Sequence, residues 1–265
     1  MSTNTRSNFA VAALVGANLI MAVPAWCDVT DTMQFMREEE KLARDVYATL
    51  YSAWGDPVFD NIAYSEQSHM DAMGRLLDKY GVQDPVTKTA VDPGVYPDSC
   101  IGNECAFTDE ALAGLYETLV ADGTSSPFAG LLVGGLIEEK DMTDIRAAID
   151  ETDDPHIQAV YERLLCGSAN HLRAFARNIE SASGRPYLDA TAEYIEAFDM
   201  RTEASVDAIE EILASPMSRC SSQNRRASDA KAGAGSRGAS PAAHPVVFPG
   251  DHRGRARCVR YRPIA

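Results

Sequence analysis

At 265 residues and 45% apolar content, the chain is long enough for one substantial domain with a buried core and room for flanking segments. Its formal charge of −15 is uneven: from Met217 onward ten Lys and Arg face two Asp, a net of +8, which leaves −23 for everything before it. A body that acidic repels phosphates, which argues against nucleic acid as a partner.

The chain opens like an export signal: Arg6, then the apolar run FAVAALVGANLIMAV, then VPA with small residues at a cleavage position near Ala25. Residues 1–25 are therefore read as a signal peptide and the protein as exported, periplasmic or extracellular; a retained N-terminal anchor is the alternative. Trp26 before Cys27 disfavours a lipoprotein site. That run is short for a bilayer span and no later stretch is long or apolar enough, so no integral span is expected after signal removal.

The domain proper is placed at 28–216, and helical periodicity dominates it with no sustained strand alternation. A first helix over about 31–52 carries Met36, Ala43, Tyr47 and Leu50 on one stripe, with Glu40 on the same stripe. Gly55 and Pro57 break it. A second, over about 59–80, ends at Gly81. The loop that follows, to Phe107, holds Cys100 and Cys105 around IGNE, read as a local disulfide in an oxidising compartment, with a metal clip as the rival reading. A short connecting helix starts after Thr108, read as its cap.

The third long helix, about 126–152, aligns Leu132, Gly135, Met142 and Ile149, with Glu139 in that row. The fourth begins behind Asp154 and Pro155, ends at Gly184, and turns Tyr161, Leu164, Ser168, His171 and Phe175 inward. Cys166, inside this pattern, is read as a small core residue. A further amphipathic piece, about 201–213, is expected outside the bundle. Residues 217–265 have the composition of a basic, disordered tail. The architecture expected is all-α: an up-down four-helix bundle with a long loop and short helix between helices two and three.

The polar residues that interrupt inward rows carry the chemistry: Glu40, the pair Glu66/His69, Glu138 or Glu139, and His171. A buried ionised carboxylate costs several kcal/mol unless something offsets it, and a metal cation does so directly. Glu66 and His69 project the same way from one helix, about 5–6 Å apart at Cβ. Mixed oxygen and nitrogen donors favour iron, manganese or zinc. A short internal echo, EEKLARDV from Glu39 against EEKDMTDI from Glu138, pairs Glu40 with Glu139. The plainer reading is that Glu38 to Glu40 form an acidic helix start, favoured by the helix dipole, and that His171 is a satisfied core histidine.

REEEKLARDVY resembles the first helix of ferritin-like proteins of the rubrerythrin type, with Glu40, Ala43, Arg44 and Tyr47 at matching positions; SEQSHMDAM resembles their second-helix Glu-x-x-His. From MREEEKLARDVY through FTDEALAGLYETLV, GGLIEEKDMTDI and GSANHLRAF the chain is similar to a prokaryotic ferritin-like family, domain of unknown function 2202, over about residues 31–200. The resemblance implies a carboxylate- and histidine-bound metal pair. Glu40 would ligate from helix one, Glu66 would bridge, His69 would cap one ion, Glu139 or Glu138 would serve from helix three, and His171 would cap the second ion. Ser168 departs from the pattern, since a carboxylate belongs there. Its replacement would have to come from Glu138 and Glu139 together or from Glu162.

The functions expected are binding of one or two iron or manganese ions and, with redox turnover, oxidation driven by oxygen or peroxide, with Tyr47 bonding a ligand or relaying an electron. The alternatives are metal buffering without turnover, zinc included, and a structural or partner-binding bundle with a degenerate site. Metal ions are the expected partners, with a homodimer as the candidate assembly. No Cys-x-x-Cys pair is present, so a rubredoxin-like electron-transfer module is not expected.

Overall fold

Met33, Met36, Ala43, Tyr47 and Leu50 are separated by three, seven, four and three residues, the spacing of one helix face. The computed structural model, which describes residues 29–86, 107–198 and 201–216, makes that stripe the inner face of helix α1 (Val29–Trp54). Gly55, at φ +64°, turns the chain. Asp56 then accepts the Val58 N–H at 3.0 Å and Pro57 opens α2 (Pro57–Tyr80). Left-handed Gly81 ends α2, returning its N–H to the last turn.

Helix α3 (Glu110–Gly123) is capped by Asp109, which accepts from the Ala111 and Leu112 N–H groups; Thr108, the expected cap, instead donates its backbone N–H to Glu38 at 2.5 Å. Glu38 also accepts from the Asp109 N–H, so a carboxylate of α1 secures the start of α3. Ser126 caps α4 (Pro127–Asp150), and Asp154 caps α5 (Pro155–Ser183), as expected from its sequence. Two short helices follow, α6 (Tyr187–Glu196) and α7 (Glu203–Ala214). Among the described residues every regular element is helical, and no helix is long and apolar enough to cross a membrane.

Helix α1 packs along α2 and α4 along α5, each joined by a short turn, and the two pairs meet through α2 against α5 and α1 against α4. Helix α3 covers α1 and α4, while α6 rests on α4 and α5 and α7 on α5. Two apolar clusters fill the interior. One contains Val46, Tyr47, Leu50, Phe59, Leu136 and Phe175. The other contains Met33, Met36, Met73, Ile145, Tyr161 and Leu164. On each of the four long helices, buried polar residues fall at or beside the junction of the stretches that build these two clusters: Glu40, Glu66, Glu138 with Asp141, and Ser168 with His171.

Helix α4 is buried on two sides, and adjacent glycines allow it. A Cβ on Gly134 would lie 2.5 Å from Phe175 Cζ, and one on Gly135 would lie 2.6 Å from the Tyr187 hydroxyl. Gly134→Ala is expected to destabilise the fold by about 1–3 kcal/mol through overpacking against Phe175, measured as a lowered urea midpoint at unchanged m-value.

One further helix and one residue depart from expectation. Helix α6 was not foreseen, because it is ten residues long, follows Gly184 and Pro186, and has no side-chain cap; burial of Tyr187, Thr191 and Ile195 holds it. Cys166 is half-buried and disulfide-bonded rather than a free core thiol. The N-terminal 1–25 segment, the Cys100 and Cys105 loop and the 217–265 tail lie outside the described residues.

Candidate metal centre

Three helices each present a pair one turn apart at the polar layer: Glu66 and His69 on α2, Glu138 and Asp141 on α4, Ser168 and His171 on α5. Helix α1 adds Glu40. Glu66 lies between the two imidazoles, with Oε2 2.7 Å from His69 Nδ1 and Oε1 2.7 Å from His171 Nδ1. Glu40 Oε2 is 3.1 Å from His69 Nδ1, and Glu138 Oε2 is 3.5 Å from His171 Nδ1. The imidazole rings stack with centroids 5.4 Å apart. One donor atom from each of Glu66, His69 and His171 falls within 4.8 Å of the others.

Several of these atoms are close without being aligned for hydrogen bonding. Among the described residues, Glu40 Oε1, Glu66 Oε2, Asp141 Oδ1 and His171 Nδ1 are buried with no hydrogen-bond partner. Such orphans are rare in folded interiors because each forfeits its hydration. Polar atoms that approach one another but point past one another suit a shared third centre, and carboxylate oxygens with imidazole nitrogens are the donor set of iron, manganese and zinc. The residues therefore fit a metal.

The surroundings orient these side chains. His171 Nε2 is 2.8 Å from Ser65 Oγ, and the Tyr47 hydroxyl donates to Glu138 Oε1 at 2.6 Å. A Cβ on Gly167 would come within 2.5 Å of His69 Cε1, so the ring depends on bare backbone there. Gly167→Ala is expected to push His69 aside and weaken metal binding about tenfold or more, measured by competition with a metal-chelating dye.

Electrostatics are those of a crowded, largely buried cluster. Burial drives the Glu40 carboxyl well above the ordinary range, against the pull of His69. Burial likewise lifts Glu138 to about 7 and Asp141 to about 6. Burial also acts to raise Glu66, but His171 and His69 outweigh it and hold that carboxyl below its usual value. For His171, burial opposes the charge and Glu66 and Glu138 reverse it, raising the imidazole to about 10. His69 rises for the same reason through Glu40 and Glu66. The Tyr47 hydroxyl is pushed far up by burial, then by Glu138, which keeps it a proton donor.

Glu40, Glu66, His69, Glu138 and His171 are thus brought together, with Tyr47 against Glu138. Glu139 is not. Its Oε1 accepts from the Tyr187 hydroxyl at 2.7 Å and from Arg201 at 2.6 Å, and its Oε2 accepts from Arg201 Nε at 3.0 Å. The inner row of α4 is Gly134, Glu138, Asp141 and Ile145, one residue displaced from the row through Gly135 and Glu139 that the sequence suggested, and the echo's match of Glu40 with Glu139 fails with it. Glu162 is exposed on α5 and does not enter the cluster. Asp141, buried and within electrostatic reach of Glu66, His69 and His171, was missed. Its signal was its place three residues after Glu138, the spacing of Glu66 and His69.

Comparison with known proteins adds relatives. The chain is 41% identical over 174 residues to the uncharacterised protein MJ0754 of Methanocaldococcus jannaschii, spanning 65% of this chain and 87% of that one. The crystal structure of the same archaeal protein superposes with a TM-score of 0.59 at 38% identity, covering 71% of this chain and 93% of that one. Residues 29–203, which hold all seven residues predicted for the site together with Asp141, match the family described as uncharacterized protein domain DUF2202, and the chain belongs to that family.

Proposed function

We propose that this is a ferritin-like protein that binds one or two iron or manganese ions through Glu40, Glu66, His69, Glu138 and His171. The observation that carries the reading is the position of Glu66, with one carboxylate oxygen 2.7 Å from each of two imidazoles, in a buried layer between two apolar clusters. The pairing of α1 with α2 and α4 with α5 supports the ferritin-like architecture. The bound metal would supply redox cycling between divalent and trivalent states toward oxygen or peroxide. The chain's own part is to fix donor number, exclude water and, through the Tyr47 hydroxyl, hold Glu138 in one orientation. Export is proposed on the N-terminal segment alone.

Metal analysis of protein purified without added metal tests the binding; a metal-to-protein ratio near zero that added iron or manganese does not raise would refute it. A second reading, metal buffering without turnover, draws on Ser168 standing where α5 would offer a carboxylate. Stopped-flow mixing of the ferrous protein with oxygen separates the two. A rapid absorbance change supports the oxidoreductase, and none over minutes supports the buffer.

A further inference from the structure

On α2 the carboxylate precedes its histidine by one turn, Glu66 before His69; on α5 the equivalent position before His171 is Ser168. Ser168 is fully buried, and its hydroxyl lies 2.5 Å from Asp141 Oδ2 and 3.0 Å from the Leu164 carbonyl, with a single proton to serve both. A serine hydroxyl carries no charge at neutral pH and is a poor match for a carboxylate ligand. Its neighbour on α4 is well suited.

We infer that Asp141 supplies the carboxylate missing from α5, so that Glu66, Glu138, Asp141 and His171 form a second metal position beside the one held by Glu40, Glu66 and His69. This rests on the metal-binding reading above and extends it to a ligand and a stoichiometry. Asp141 is 5% exposed, and its Oδ1 has no hydrogen-bond partner among the described residues. No Lys or Arg among those residues forms an ion pair with it; Lys140, its sequence neighbour, pairs with Asp144 and reaches Asp141 only through its charge. Asp141 follows Glu138 by one helical turn, so the two carboxylates project together. The ligand has in effect crossed from α5 to α4, and Ser168 fills the vacated volume while donating to the carboxylate that replaced it. With Glu66 shared, each position then has three or four protein donors.

The test is titration of the full chain with Mn²⁺ under anaerobic conditions, reading ions retained per chain after desalting, with circular dichroism as the folding control. The wild type is expected to retain two ions and Asp141→Asn one. The double change Asp141→Asn with Ser168→Glu, which returns the carboxylate to α5, is expected to recover the second. Ser168→Ala, which keeps Asp141 but removes its donor, is expected to weaken the second ion about tenfold and leave the first; it also serves if Asp141→Asn fails to fold. Two ions retained by Asp141→Asn overturn the inference, as does a wild type that holds a single ion which Asp141→Asn leaves in place. If Glu66→Ala empties the protein in either case, the metal-binding reading stands without Asp141. A wild type that holds no ion removes both.

Discussion

Replacing Glu66 and His69 together with alanine is expected to lower retained metal at least tenfold, and Glu66→Ala alone should do most of it. Among the described residues Glu66 is the one carboxylate within 2.7 Å of both imidazoles, so its loss removes a donor from each side of the cluster at once. Loss of a single ligand from a structured metal site exceeds the 10–100-fold effect typical of its supporting neighbours. The stability consequence has a defined sign. Metal that binds only the folded chain stabilises it by about 4 kcal/mol at a thousandfold excess over Kd. A strong chelator should therefore lower the Tm of the wild-type protein and leave that of the double variant unchanged. Metal content per chain that survives the double substitution would exclude these residues as the ligands.

Two adjacent glutamates should behave in opposite ways. Glu139→Ala is expected to destabilise the fold by about 3–5 kcal/mol, the range for breaking a buried ion pair from one side. It would strand Arg201, whose side chain is 10% exposed, and the Tyr187 hydroxyl, and so loosen α6 from α4. Metal retention at a temperature where the variant is folded should be unchanged. Glu138→Ala should instead reduce metal retention, because it removes the carboxylate beside His171 and the acceptor of the Tyr47 hydroxyl. Urea denaturation paired with metal analysis on both variants checks this. If folded Glu139→Ala loses metal and Glu138→Ala keeps it, the assignment of α4 is reversed and the site must be rebuilt around the other face.

The helices most legible in sequence were those with one wet side. In α2 and α5 the apolar residues fall on a single stripe, so the interruptions by Glu66 and His171 stand out. Their ends were legible too: Gly81 and Gly184 take left-handed backbone, and Asp154 accepts the first N–H groups of α5. Helix α1 was legible in its stripe but misleading in its charges. Glu38, which reads as part of a solvated helix start, is buried and caps α3, whose start is distant in sequence. Lys41 and Arg44 look like surface residues and are buried against Asp45.

The residue pattern by itself determined the helical class, the principal turns, and the existence of inward carboxylates and histidines, because helix periodicity and capping depend on neighbours within a few positions. Which face of α4 looks at the centre was decided only by packing. With α5 and Phe175 on one side and Tyr187 on the other, α4 has no single apolar stripe to orient it. Arg201, 62 residues further on, draws Glu139 to its own side and leaves Glu138 and Asp141 to the interior. Long-range charge pairing of this kind has no local signature, so it emerges only when separate helices are brought together.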